Sequence, residues 1–424
     1  MQATFAFGKT GLTVALPDGP RYSVVEGRSA SALADAASAI GVALDHPIGS
    51  KPLVELAAGK QTAAISVCDI TRPAPNSQTL PPLLERLHAA GIPVDGITIL
   101  IATGLHRCAT GEEIQSILGP EIAGRYRVVD HDARALGDHR SLGSTASGTP
   151  VYIDSRFLDA DLHITLGFIE PHWMLGFSGG RKLIAPGLAA QQTIMVLHSP
   201  RFMREPLAIE GSIEGNPLHA ELLEIARMAR HDFLLDVALT PQQREICGVF
   251  AGSPELAHAA GVDFVRSTTL TRVSQSADAA ITSAAGHPLD LTFYQSLKGI
   301  YAAHHIVKPG GKILVICECA EGIGSPEFAA ILHNYPGPKQ FLRQIESTPV
   351  IIDQWQLEKG ALTGVKNKIL IYTPGVSPNQ LGALGERCFS DVDRAVAALL
   401  DGLPAGASVA LIPEGPYVFA QVAV

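Results

Sequence analysis

The sequence predicts an α/β protein of two domains, each built on a mainly parallel sheet, with an active-site cleft between them. Three observations carry this expectation. The chain has 424 residues, beyond the size at which one hydrophobic core usually keeps growing, so two cores are expected. Short apolar runs alternate with amphipathic patterns along most of its length, the rhythm of a parallel sheet covered on both faces. That rhythm restarts near Val273, which sets the expected domains at 1–272 and 273–424, with the last strand free to pack back on the first.

From the N-terminus, "TFAFGKTGLTVAL" alternates apolar and polar residues around a Gly-Lys-Thr-Gly turn and reads as a hairpin, without the basic start and apolar core of a signal peptide. "TAAISVCDI", "GITILIATG" and "DLHITLGFI" read as strands, and "LPPLLERLHAAG", "GEEIQSILG" and "PLHAELLEIARMA" as helices. After the restart come "ADAAITSAAG", a helix from about Leu291 capped by Asp290, "GGKILVICECA", "TPVIIDQWQ", "NKILIYTPG" and "SVALIPEGPYVFA".

Composition narrows the partners. A net charge of -9 supplies no general attraction for nucleic acid or anionic membrane. No run approaches the roughly 18 apolar residues of a membrane span. The six cysteines include no CxxC pair, which fits a reducing compartment, so a cytoplasmic protein acting on small molecules is expected.

Open α/β sheets bind ligands outside the carboxyl ends of their strands, so the residues just past each strand are the first candidates for a site. "DITRP" places Asp69 and Arg72 on a proline-stiffened loop, where a guanidinium can clamp a carboxylate or simply pair with Asp69. "TGLHR" places His106 behind a glycine turn, and "EPHW" places His172 after another strand. Two histidines at comparable edges suit two bases on opposite faces of one substrate, as inversion of a stereocentre needs; a turn histidine or a metal ligand is the competing reading.

"GFSGGRKLIAPG" holds Lys182 behind Ser178, Gly179 and Gly180. Its spacing is not that of a phosphate loop, since Leu183 stands where Ser or Thr would bind magnesium, yet its glycines still admit a phosphate, and a lysine in such a loop can be a covalent attachment point. His198 ends an apolar run beside Pro200, structural unless a cofactor sits beside it. "FYQSLKG" sets Tyr294 and Lys298 on one helix face with Gln295 on its flank, and Lys298 and Arg72 are expected to grip one carboxylate from the two domains.

Taken together, "DITRP", "TGLHR", "EPHW", "GFSGGRKLIAPG", His198, "FYQSLKG" and "DQWQ" make the chain resemble the nickel-pincer lactate racemase family. The resemblance implies a racemase or epimerase inverting C2 of a 2-hydroxy acid by proton-coupled hydride transfer. It also implies a nickel-pincer nucleotide, a pyridinium mononucleotide with two sulfur arms, joined to Lys182 as a thioamide, and cofactor-synthesis proteins as partners. His198 is then the protein's nickel ligand, and His106 and His172 the proton-transferring bases. Arg72, Tyr294, Gln295 and Lys298 orient the substrate, and Trp355 lines the pocket or cofactor site. Asp69 partners Arg72 or the cofactor, and Ser178, Gly179 and Gly180 meet the nucleotide phosphate. A nicotinamide-dependent 2-hydroxy acid oxidoreductase is the nearest alternative, although no GxGxxG follows the first strand. A zinc hydrolase using His106, His172 and His198, and a carboxylate-binding protein, are the others.

Overall fold

A computed structural model describes residues 1–241 and 244–423. The chain divides into two compact units, Ser29–Thr268 on one hand and Met1–Arg28 with Thr269–Val424 on the other.

In Ser29–Thr268 the six-stranded sheet runs in the order Ile246–Gly252, Phe233–Leu239, Leu162–Phe168, Ala63–Cys68, Ile97–Ala102, Arg127–Asp130. All neighbours are parallel except the first pair. Ala63–Cys68 and Leu162–Phe168 are buried along their whole length, which explains their unbroken apolar character. The helix Asn76–Ala89 seals one face with Leu80, Leu83, Leu84 and Leu87, a helical repeat of the kind its sequence shows. The helix Gly111–Leu118 starts where expected, because Thr110 and Glu113 form a capping box.

The strand order sets the place of a site. Ala63–Cys68, Ile97–Ala102 and Arg127–Asp130 are laid outward to one edge, and Leu162–Phe168 then returns to the other flank of Ala63–Cys68. Connections on the two sides of that reversal diverge, which leaves a crevice at the carboxyl ends of these two strands.

The other unit repeats the scheme with six parallel strands in the order Cys388–Phe389, Lys368–Tyr372, Val307–Ile316, Ala277–Ser283, Ser408–Ile412, Arg21–Val24. Its order reverses between Ala277–Ser283 and Ser408–Ile412, directly before the helix Phe293–His304. That helix buries Phe293, Leu297 and Ile300 on one face of the sheet, and Phe5 and Val14 of the N-terminal hairpin join Leu314, Leu370 and Leu411 on the other.

Three expectations are corrected and one open alternative is decided. Residues 1–28 belong with the C-terminal segment, because Arg21–Val24 pairs with Ser408–Ile412 and the hairpin covers the same sheet. The strand Ser408–Ile412 stays in its own unit, paired with Ala277–Ser283. "TPVII" forms no strand: the chain turns at Asp353, where φ is +66°, and enters the helix Gln354–Lys366. Asp290 is not the cap of the helix Phe293–His304, whose N-cap is Thr292; its buried Oδ2 accepts the N–H groups of Gly8 and Glu318 at 2.7 and 3.2 Å. Among the described residues no helix is long and apolar enough to cross a membrane.

Candidate active site

Asp69 is the first residue past Ala63–Cys68, and its carboxylate is buried. Oδ1 accepts the Thr71 hydroxyl and Oδ2 accepts His106 Nδ1–H, both at 2.8 Å. Burial alone would raise this carboxyl, but the hydrogen bond from His106, the neighbouring charges of His106 and Arg72 and the Thr71 hydroxyl outweigh it and hold it below the ordinary carboxylate range. His106 reaches this position because Gly104 turns at φ +57° and donates its N–H to the Gly187 carbonyl at 3.0 Å. The consequence is a fixed tautomer: Nδ1 carries the hydrogen, so Nε2 presents the lone pair of a base.

His172 follows Leu162–Phe168 across the switch point and lies in a small antiparallel hairpin opposite Gly176. Its Nδ1 accepts two long hydrogen bonds, from Met174 N–H at 3.4 Å and Leu175 N–H at 3.3 Å. The ring's hydrogen therefore sits on Nε2, the opposite tautomer to His106. The two rings thus present different groups at Nε2, a lone pair on His106 and an N–H on His172.

The hairpin leads into the lysine turn. Gly179 and Gly180 adopt φ of +87° and +45°, conformations that favour glycine, and the turn Gly180–Leu183 follows. Arg181 folds back into the protein and donates to the carbonyls of Leu175, Phe177, Ser178 and Gly179 at 2.9 to 3.4 Å. With Arg181 turned inward, the adjacent Lys182 is the cation left on the functional side, and it is partly buried. Burial first, then the Arg72 charge, pushes its amine down to about 8, against the pull of Cys68, Glu170 and Asp69.

His198 caps the C-terminus of the helix Gln191–Leu197, and its Nδ1–H donates to Ile194 O at 2.9 Å. Its Nε2 is thus the lone-pair nitrogen, as metal ligation requires. Burial, with Lys182 and His106 nearby and the Ile194 bond opposing, brings the ring to about 4, so it is neutral at pH 7. The charges acting on Lys182 and His198 place Arg72, Asp69, His106 and Glu170 in one electrostatic neighbourhood with them.

Groups of the glycine loop that were expected to meet a phosphate have partners within the protein. Gly180 N–H already donates to Asp236 Oδ2 at 2.8 Å, and a side chain on Gly179 would collide with the same oxygen. Ser178 Oγ is occupied as well, accepting Glu170 N–H at 2.9 Å and donating to Phe168 O at 3.0 Å. The partner of Asp69 is corrected, to His106 and Thr71.

Residues 7–211 match the lactate racemase N-terminal domain, and residues 273–420 the lactate racemase C-terminal domain. Lactate racemase of Thermoanaerobacterium thermosaccharolyticum is 35% identical over 372 residues, 87% of each chain. The chain belongs to the lactate racemase family.

Lactate racemase of Lactiplantibacillus plantarum is 36% identical over 375 residues, 88% of each chain. The solved lactate racemase apoprotein of T. thermosaccharolyticum superposes with a TM-score of 0.90 at 31% identity, covering 99% of this chain and all of that one. As a member of the lactate racemase family the protein is an isomerase.

The lactate racemase C-terminal domain carries the remaining candidates. On the helix Phe293–His304, Tyr294, Gln295 and Lys298 are half-buried, with the Tyr294 ring edge-on to the core residue Phe328 at 5.1 Å, while Phe293, Ser296, Leu297 and Ile300 are buried. Gln356 Nε2–H donates to Tyr294 O at 2.7 Å and ties this helix to Gln354–Lys366, which bears the buried Trp355. Gln295 Oε1 is buried without a hydrogen-bond partner among the described residues, an acceptor that a ligand hydroxyl can satisfy. Sequence reasoning missed Arg181, Asp236 and His258. The signal for Asp236 was a lone carboxylate inside the apolar strand "FLLDVAL".

Proposed function

We propose that this isomerase inverts C2 of a 2-hydroxy acid, lactate being the first candidate, with a nickel-pincer nucleotide joined to Lys182 and the metal also bound by His198. The observation that carries the reading is the opposite tautomer of His106 and His172. The residues fit the cofactor: Lys182 is a partly buried amine brought to about 8, near the range of a neutral nucleophile, and His198 is a neutral imidazole with its Nε2 lone pair set by Ile194. When bound, the cofactor supplies the acceptor and donor for the C2 hydride.

The chain's own residues do the rest. Arg72 takes the substrate carboxylate in a charge-assisted pair, and Lys298, Tyr294 and Gln295 orient the acid through its carboxylate and hydroxyl. His106 Nε2 accepts the hydroxyl proton, and the carboxylate of Asp69 stabilises the imidazolium that forms. His172 Nε2–H hydrogen-bonds the same oxygen, and the proton held by His106 returns to that oxygen in the inverted product.

Intact-mass and nickel measurements on protein made with and without the cofactor-synthesis proteins test the reading. Racemisation should require a Lys182 adduct and about one nickel per chain. Substrate deuterated at C2 should keep its deuterium through racemisation, since a hydride does not exchange with water. Racemisation by protein with unmodified Lys182 would overturn the proposal. A series of 2-hydroxy acids of rising size and charge then identifies the substrate.

A further inference from the structure

Asp236 lies at the centre of the strand Phe233–Leu239, fully buried and paired in register with Gly167 of Leu162–Phe168. A carboxyl in that position costs free energy unless it serves a partner. Its partner is the lysine turn, through the 2.8 Å bond from Gly180 N–H to Oδ2. The other oxygen, Oδ1, lies against Gly167, where a Cβ would sit 3.2 Å from it and whose backbone N–H also draws on the carboxyl. His258 Nε2 lies 2.7 Å from Arg181 Nη1 and 2.8 Å from Ser178 O, so the ring is wedged between the guanidinium and the backbone of the turn. The turn before Lys182 is thus held from within by Arg181 and from below by Asp236.

We propose that Asp236 is a positioning residue for Lys182, fixing through Gly180 the turn that presents the lysine amine for cofactor attachment. This rests on the reading of Lys182 as the attachment residue. The preceding hairpin strand ends at Phe177 and the next α-helix begins only at Gln191, so the anchored N–H at Gly180 sets where the next two side chains emerge. Gly179 leaves space for the carboxyl, since a Cβ there would sit 2.4 Å from Asp236 Oδ2.

The test is acetic anhydride labelling of the cofactor-free protein across pH, read at Lys182 by peptide mass spectrometry with exposed Lys51 as internal control. Native Lys182 should label with a midpoint near 8. Asp236→Ala should move that midpoint toward the ordinary 10.5 and slow labelling at pH 8 by about tenfold or more, leaving Lys51 unchanged. Asp236→Asn keeps an acceptor for Gly180 and should restore the native midpoint. If Asp236→Ala does not fold, Asp236→Asn carries the test: a folded variant whose Lys182 midpoint has moved to about 10 overturns the proposal, as does native labelling in a folded Asp236→Ala. Because no cofactor is present, the result stands whether or not the nickel reading does.

Discussion

Asp69 Oδ2 and His106 Nδ1 lie 2.8 Å apart, joining the ends of two adjacent parallel strands. The pair aligns a ring that is itself half exposed, and it does so from a buried carboxylate held below its ordinary range. A carboxyl with a lowered folded-state value contributes stability above its unfolded value near 3.8 and loses it as pH falls through the lower folded value. The pair is therefore intact throughout the neutral range.

Asp69→Asn should lower kcat for racemisation by about 10² to 10⁴, because an amide can present its N–H₂ to Nδ1 and select the wrong tautomer. KM should change by no more than a few-fold. Combining it with His106→Gln should add little further loss, since the two act as a unit. Initial rates from each enantiomer give both quantities.

The lowered amine of Lys182 has a second readout in stability. The unfolded chain binds the proton up to about 10.5 and the folded chain only to about 8, so stability rises with pH between these values. Relative to Lys182→Met, the cofactor-free native protein should gain stability across this window, as measured by urea unfolding at fixed ionic strength.

Asp236 shows the opposite sign. Burial, partly offset by Gly180 N–H and Arg181, pushes its carboxyl up to about 7, so between the ordinary 3.8 and 7 the folded chain holds the extra proton. Stability relative to Asp236→Asn should accordingly fall as pH rises from 4 through 7. A pH-independent difference would mean that the carboxyl titrates normally.

His198→Ala should separate attachment from metal retention. Intact mass should still show the organic adduct on Lys182, while nickel per chain drops by about tenfold or more on dialysis against a mild chelator. Lys182→Ala should lose both.

Phe5→Ala tests the assignment of the N-terminal hairpin. Its ring is wholly buried among Leu314, Leu370 and Leu411, so truncation should cost about 3 to 5 kcal/mol. Hydrogen exchange should show the loss in residues 269–424 and spare the strands of Ser29–Thr268.

Much of this protein is written locally. Strands such as "AAISVC" and "HITLGF", the capped helix after Thr110, and the glycine turn before Lys182 follow from residue type and period, and each lies where its pattern places it. "DITRP" and "TGLHR" were legible for a related reason: they occupy the loops directly after strands, and loop chemistry is not masked by packing. "TPVII" misled because a short apolar run has the same composition as a buried strand, and the decisive feature was the left-handed turn at Asp353.

The amino-acid sequence alone determined the α/β class, the set of candidate residues and the family resemblance, because period, turn residues and motif identity are local properties. Only the tertiary structure decided that Asp69 serves His106, that His106 and His172 hold opposite tautomers, that Asp236 rather than a ligand takes Gly180 N–H, and that residues 1–28 complete the second sheet. Each depends on which distant segments become neighbours, through strand order and register, and the energy of those pairings is invisible in any window of sequence short enough to show a pattern.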